Sequence, residues 1–223
     1  LAVFKKVDAV ITFQGGFIAN LATIPALVGE GDFIFSDELN HASIVDALKL
    51  CNRNKTIKRI YPHGDLETLE KMFEEDKDKN YRFKTIVTDG VFSMEGDTAD
   101  LSELVKIADE YGALLFVDDA HGVGVLGKNG KGTHEHCGVF GKVDVLTGTF
   151  GKALGGAVGG YVAGPSDLVQ FLRQKSRTYM FSNSVPPSVV MASIRALELI
   201  NEETELLQKV KSNADFFRSG LTK

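Results

Sequence analysis

Val143-Asp144-Val145-Leu146-Thr147-Gly148-Thr149-Phe150-Gly151-Lys152-Ala153-Leu154-Gly155-Gly156-Ala157-Val158-Gly159-Gly160-Tyr161-Val162-Ala163 is the stretch whose reading decides the fold. Val143 to Thr149 and Ala157 to Ala163 both read as buried strands, and only Phe150 to Gly156 lies between them. A parallel crossover needs about a dozen residues or more, so the second strand must run antiparallel to the first. The short connection also carries a lysine among small residues.

Upstream, apolar runs rich in β-branched and aromatic residues recur at Asp8 to Phe13, Asp32 to Ser36, Thr56 to Tyr61, Phe83 to Asp89 and Ala113 to Asp118. These runs are nearly continuous rather than alternating, which suits strands covered on both faces by helices in a mostly parallel α/β sheet. Crossover helices are expected at Ala19 to Val28, His41 to Asn52, Leu66 to Glu75 and Leu101 to Tyr111, each opening after a polar or small residue. The expectation is seven strands, mostly parallel, the last antiparallel. From Pro186, apolar residues keep helical spacing through Ile200 and again from Leu206 to Phe217. We therefore divide the chain into a large domain, 1–185, and a helical segment, 186–223, leading toward a second domain.

The chain has 223 residues, 43% hydrophobic and 25% charged, with a formal net charge of -5. That composition is globular and offers no basic footprint for nucleic acid. No apolar run reaches the roughly 18 residues of a membrane helix. The start, Leu1-Ala2-Val3-Phe4-Lys5-Lys6, is not a signal peptide and lacks an initiator Met, as a piece of something longer would. Cys51 and Cys137 form no C-x-x-C pair, so neither a disulfide framework nor a zinc site is expected and a reducing compartment fits.

Lys152 follows a strand, and small neighbours let a flat ring approach it. An apolar setting lowers a lysine's proton affinity, so that the neutral amine can form an imine. The loop does not match G-x-x-x-x-G-K-[ST], because Ala153 follows the lysine. Asp118, Asp119 and His121 leave the strand Ala113 to Asp118 at its carboxyl end, where α/β sheets bind ligands. A carboxylate there can keep a pyridine nitrogen protonated as an electron sink; helix caps or magnesium ligands are the other readings of the same acids. Gln14-Gly15-Gly16-Phe17 sets glycine N–H groups at a helix start, a seat for phosphate to which Thr149 can add a hydroxyl. His41 can stack on an aromatic ring or cap a helix. Ser93 reaches the same sheet edge or serves only a turn.

Four segments, Leu39-Asn40-His41-Ala42-Ser43-Ile44, Asp89-Gly90-Val91-Phe92-Ser93-Met94, Val117-Asp118-Asp119-Ala120-His121 and Thr147-Gly148-Thr149-Phe150-Gly151-Lys152-Ala153, resemble in sequence and order the motifs of the α-oxoamine synthase family. These are pyridoxal-phosphate (PLP) enzymes of fold type I. The resemblance implies the large domain of an aspartate aminotransferase-like PLP transferase. It makes Lys152 the Schiff-base lysine and acid-base group, with Asp118 on the pyridine nitrogen, His121 on the phenolic oxygen and His41 stacked on the ring. Gly16 and Phe17 would hold the phosphate by backbone contacts. Ser93, Thr149, and Ser182 with Asn183 would complete the site, the last pair reaching the neighbouring subunit of an obligate homodimer.

Leu172-Arg173-Gln174-Lys175-Ser176-Arg177, Phe181-Ser182-Asn183-Ser184 and Gly132-Thr133-His134-Glu135-His136-Cys137 are most similar to the family's glycine C-acetyltransferase branch. That branch condenses glycine with acetyl-CoA and in reverse serves threonine breakdown. The 8-amino-7-oxononanoate and 5-aminolevulinate synthase branches remain open, as does a non-enzymatic nucleotide-binding α/β module. The resemblance further implies a cytoplasmic protein, or one of the mitochondrial matrix in a eukaryote, with a preceding segment and a C-terminal domain whose arginine holds the substrate carboxylate.

Overall fold

The computed structural model describes residues 1–51, 56–155 and 158–221. Its strands are β1 (Ala9–Phe13), β2 (Asp32–Asp37), β3 (Thr56–Tyr61), β4 (Lys84–Asp89), β5 (Leu114–Asp118), β6 (Val145–Thr149) and β7 (Gly160–Gly164). Its helices are α1 (Ala2–Lys5), α2 (Gly16–Leu27), α3 (Ala42–Leu50), α4 (Leu66–Glu75), α5 (Leu101–Tyr111), α6 (Thr133–His136), α7 (Ser166–Lys175), α8 (Arg177–Met180), α9 (Pro187–Glu202) and α10 (Thr204–Leu221).

The strands form one sheet in the order β1-β7-β6-β5-β4-β2-β3. Every neighbouring pair is parallel except the two made by β7, which runs antiparallel to β6 and to β1. The seven expected strands and the one reversed strand are thus present. The reason is the one read from the sequence: the β6–β7 connection is too short to cross over.

Strand alternation sends residues to two cores. Phe33, Phe35, Ile86, Leu115 and Val117 pack on the α4 and α5 side with Leu69, Phe73, Leu101 and Leu104. Ile34, Val87, Phe116 and Val162 pack on the opposite side with Ala19, Ile24, Ile44 and Leu172. Both faces are dry, so the strands read as continuous apolar runs.

Three expectations about helices shift. The helix expected at Ala19 starts at Gly16, because the preceding Gly15 supplies an extended backbone rather than a side-chain cap. The single helix expected from Pro186 is two, α9 and α10, broken where Glu203 leaves helical geometry (φ -112°, ψ 84°). The helix α7 was not anticipated; only Val169 and Leu172 on it are buried, so its apolar signal is thin. Asn52 and Ala157, the outer ends of an expected helix and strand, lie outside the described residues, as does Gly156. Among the described residues no helix is long and apolar enough to cross a membrane.

Candidate active site

Because β2, β3, β4, β5 and β6 run parallel, their carboxyl ends share one edge of the sheet. There Asp89 of β4 and Asp118 of β5 lie directly opposite each other in register. Both are buried, at 5% and 7% exposure. Two carboxylates this close do not both hold a full charge in a dry setting. Burial first, and then the Asp118 charge, push Asp89 well above the carboxylate range, against the opposing pull of the His41 backbone N–H and of Lys152. Among the described residues the Asp89 carboxyl accepts one hydrogen bond, from His41 N at 2.9 Å. Asp118 accepts two, from Asn20 Nδ2 at 2.5 Å and Ala120 N at 2.9 Å. Of the two carboxyls, Asp118 has the fuller set of donors.

Lys152 lies on the β6–β7 connection, with its Nζ 2.7 Å from His121 Nε2. Desolvation lowers the lysine's proton affinity, and Asp118 and Asp89 only partly restore it. Burial and the lysine's charge likewise lower that of His121. An amine of lowered basicity beside an imidazole of lowered basicity gives up its proton more readily, and its neutral form is a nucleophile able to exchange protons.

His41 is the N-cap of α3: its Nδ1 accepts from Ser43 N at 3.2 Å and lies 2.7 Å from Ser43 Oγ. Phe17 meets the His41 ring edge-on, 6.2 Å between centroids. The cap reading of His41 holds, and its ring neighbour Phe17 belongs to α2.

The turn Gln14-Gly15-Gly16 enters α2 beside the β6 end. A Cβ on Gly16 would lie 3.1 Å from Thr149 Cβ, and one on Gly160 would sit 2.3 Å from the Gly15 carbonyl carbon. Only glycine at 160 lets this turn close onto β7. Thr149 Oγ1 donates to Gly159 O at 2.9 Å and accepts from Gly151 N at 3.1 Å, so it braces the lysine loop. The structure thus brings together Lys152, Asp118, His121, His41, Gly16, Phe17 and Thr149.

Ser93, Ser182 and Asn183 sit differently. Ser93 lies in an exposed turn after β4, whose downstream side is tied to the sheet by His63: its Nε2 lies 3.0 Å from Asp97 Oδ2 and its Nδ1 3.0 Å from Asp37 Oδ1. Ser182 Oγ accepts from Gln14 Nε2 at 3.1 Å, in an open groove between α2 and α8, and Asn183 beside it is exposed. Asp119 belongs to the scaffold: it is fully buried, bound by Lys5 Nζ and by Thr133 N and Oγ1 at 2.8 and 2.7 Å.

Two members were missed from sequence. Asp89 was read as part of a motif and not as a site carboxylate. Asn20 is a fully buried amide in the largely apolar helix α2, joined to Asp118, Ser43 and Thr147. A lone amide in such a helix was its signal, since an unsatisfied one there is costly.

The residues fit pyridoxal phosphate by the chemistry of their donor set. An amine of lowered basicity can carry the aldehyde, and Asp118, with no basic side chain in ion-pair contact among the described residues, suits a protonated ring nitrogen. The N-terminus of α2 offers N–H groups to a phosphate, and a Cβ on Gly15 would meet nothing within 4 Å.

Comparison with known proteins agrees. Over residues 2–223 the chain matches the family described as Aminotransferase class I and II. It is 48% identical over 221 residues to the 8-amino-7-oxononanoate synthase of Thermoanaerobacter pseudethanolicus, covering 99% of this chain and 55% of that protein. Serine palmitoyltransferase from S. paucimobilis, solved with a bound PLP–myriocin aldimine, superposes with a TM-score of 0.92 at 33% identity, over 99% of this chain and 56% of that one. The 8-amino-7-oxononanoate synthase of Francisella tularensis gives 0.81 at 33% identity, over 98% and 61%. The chain spans about half the length of the curated relatives it matches. It belongs to the class I and II aminotransferase family, and among these fold type I, PLP-dependent proteins it is α-oxoamine synthase-like.

Proposed function

We propose that the whole protein condenses an amino acid with an acyl thioester to make 8-amino-7-oxononanoate. The carrying observation is the cluster of Lys152, His121 and the Asp118–Asp89 pair at one strand edge, taken with relatives at 45–48% identity that bear that product's name. The product's skeleton gives the substrates. Carbons 8 and 9 with the amine are alanine without its carboxylate, and carbons 1 to 7 are a seven-carbon dicarboxylic acyl group. Overall, the alanine carboxylate leaves as carbon dioxide, a bond forms between its α-carbon and the acyl carbon, and the thioester C–S bond breaks to release the thiol. The glycine and acetyl-CoA pair expected from the sequence has the weaker support.

Lys152 would hold the cofactor, Asp118 would face its ring nitrogen, His121 its phenolic oxygen and His41 its ring. Gly16, Phe17 and Thr149 would serve its phosphate, and Ser93 would complete the site with Ser182 and Asn183 of a neighbouring subunit in a homodimer. When bound, the cofactor supplies an electron sink for charge developing on the amino acid's α-carbon. Lys152 Nζ, its basicity lowered by desolvation, would remove the α-proton and return one to the product. His121 Nε2 keeps that amine oriented between transfers. Asp118, fixed by Asn20 and the Ala120 N–H, holds the negative charge that keeps the ring nitrogen protonated. We assign this cofactor-binding role to residues 1–185 and read 186–223 as the lead into a further domain.

Specificity constants of the full-length protein for alanine with pimeloyl thioester, and for glycine with acetyl-CoA, test the substrate pair. Alanine's methyl group alone is worth about 1–3 kcal/mol in a fitted pocket, so the first pair should lead by at least about tenfold. A lead for the second pair would return the protein to the glycine branch.

A further inference from the structure

We propose that Asn20 and Ser43 form a one-way hydrogen-bond relay through which the Asp118 carboxylate holds the imidazole hydrogen of His41 on Nε2. The inference rests on the reading of Asp118 and His41 as cofactor-facing groups and adds to it two positioning residues.

The relay joins three elements, β5, α2 and α3, and is braced from β6. An ionised carboxylate has no hydrogen to give, so the Asn20 atom 2.5 Å from Asp118 Oδ2 is the amide nitrogen. Reversing the amide would set oxygen against oxygen at that separation. The nitrogen's second hydrogen goes to Ser43 Oγ at 2.8 Å, and the amide oxygen takes the Thr147 hydroxyl, also at 2.8 Å. Both amide hydrogens are then in use. Ser43 Oγ has accepted from Asn20, and its own single hydrogen faces His41 Nδ1 at 2.7 Å. The backbone N–H of Ser43 points at the same nitrogen, at 3.2 Å. A ring nitrogen that receives two hydrogens carries none of its own, so the imidazole hydrogen resides on Nε2.

Burial enforces the direction. Asn20, Ser43 and Thr147 are each 0% exposed, so no water stands ready to offer these groups other partners. The other groups around His41 leave Nδ1 alone: Asp89 takes the backbone N–H, and Phe17 meets the ring by its edge. The charge on Asp118 thereby sets the amide orientation, the amide sets the serine hydroxyl, and the hydroxyl sets the tautomer. The consequence for the proposed chemistry is electrostatic. Asp118 keeps a pyridine ring cationic, and a neutral imidazole can stack on such a ring where an imidazolium would be repelled.

The test uses the full-length protein with 15N-labelled histidine, once with cofactor and once stripped of it, His41 being assigned by its loss in His41→Gln. Ring 15N shifts separate the two neutral tautomers and the imidazolium. The expected spectrum is the Nε2–H tautomer in both preparations. Ser43→Ala should shift the tautomer ratio toward Nδ1–H by about fivefold, the effect of one lost hydrogen bond, and Ser43→Thr should restore it. Asn20→Leu should shift it in the same sense. Should that variant not fold, the native spectrum and the Ser43 series decide alone. An Nδ1–H or imidazolium His41 in the native protein, or an unmoved ratio in Ser43→Ala, overturns the relay. A wrong substrate assignment leaves the cofactor-free spectrum as expected, so the two failures are distinguishable.

Discussion

Lys5→Met removes one charge from a fully buried ion pair and leaves the other. Lys5 and Asp119 are both 0% exposed at the side chain. The ammonium also donates to Lys131 O at 2.6 Å, while Thr133 supplies only the other Asp119 oxygen, Oδ1. His134 Nδ1 lies 3.8 Å from Oδ2, too far for a hydrogen bond, and burial followed by the Lys5 charge holds that histidine neutral, its pKa down to about 4. Methionine fills the lysine stem, so no cavity cost confuses the result. Breaking a buried pair from one side costs about 3–5 kcal/mol. With a urea m-value of about 3 kcal/mol/M for a chain of this size, the unfolding midpoint should fall by about 1–2 M. Lys5→Met with Asp119→Asn should recover at least half of the loss, since the amide still serves Thr133 and leaves no stranded charge. A loss under about 1 kcal/mol for the single variant, or a double-mutant cycle with no coupling, would refute the reading of this pair as a buried, charged part of the scaffold.

Lys152→Ala should abolish borohydride-stable attachment of pyridoxal phosphate while leaving the urea midpoint within about 0.5 kcal/mol of native, because the side chain is exposed and outside the core; a label mapped to another lysine, such as Lys142, would defeat the site. Asp118→Asn in the full-length protein should still bind the cofactor but lose about 100-fold or more in turnover, since an amide cannot balance a cationic ring nitrogen. Undiminished turnover would remove Asp118 from its role. His63 is desolvated, which opposes protonation, but its hydrogen bonds to Asp97 and Asp37 outweigh that and raise its pKa above the ordinary 6.5. Its contribution to stability is then complete below about pH 6.5 and is lost as pH rises through the folded value. Urea midpoints at pH 6 and 9 should therefore diverge less in His63→Ala than in the native chain, and an equal divergence would dismiss the bridge.

The strands were legible because both faces of the sheet are buried and each strand is an unbroken apolar run. The reversal of β7 was legible because connection length limits topology. Helix ends were less so: α2 begins three residues early on a glycine that caps with backbone, and α7 buries only Val169 and Leu172 among charged neighbours. At the site, Lys152, Asp118 and His121 were found because each lies at or within three residues of a strand's carboxyl end. Asp89 escaped because its meaning comes from its neighbour across β4 and β5, a register that single-strand patterns do not carry. Asn20 escaped because apolar periodicity treats one amide in a helix as noise.

The place of β1 in the sheet also bears on how the chain is made. Among the described residues it pairs with β7 alone, Ala9 opposite Gly164, so about 150 residues must leave the ribosome between the two partners. At about 5–20 residues per second that is a wait of roughly 8–30 s. Meanwhile the β2 to β6 strands can zip together in order, while Ala9–Phe13 stays an unmatched apolar ribbon beside the nascent chain. Chaperone occupancy during translation should concentrate there and end when the β6–β7 turn with Lys152 emerges. The same event that admits the first strand to the sheet therefore delivers the lysine, and no sheet completed by β1 exists without its candidate active site.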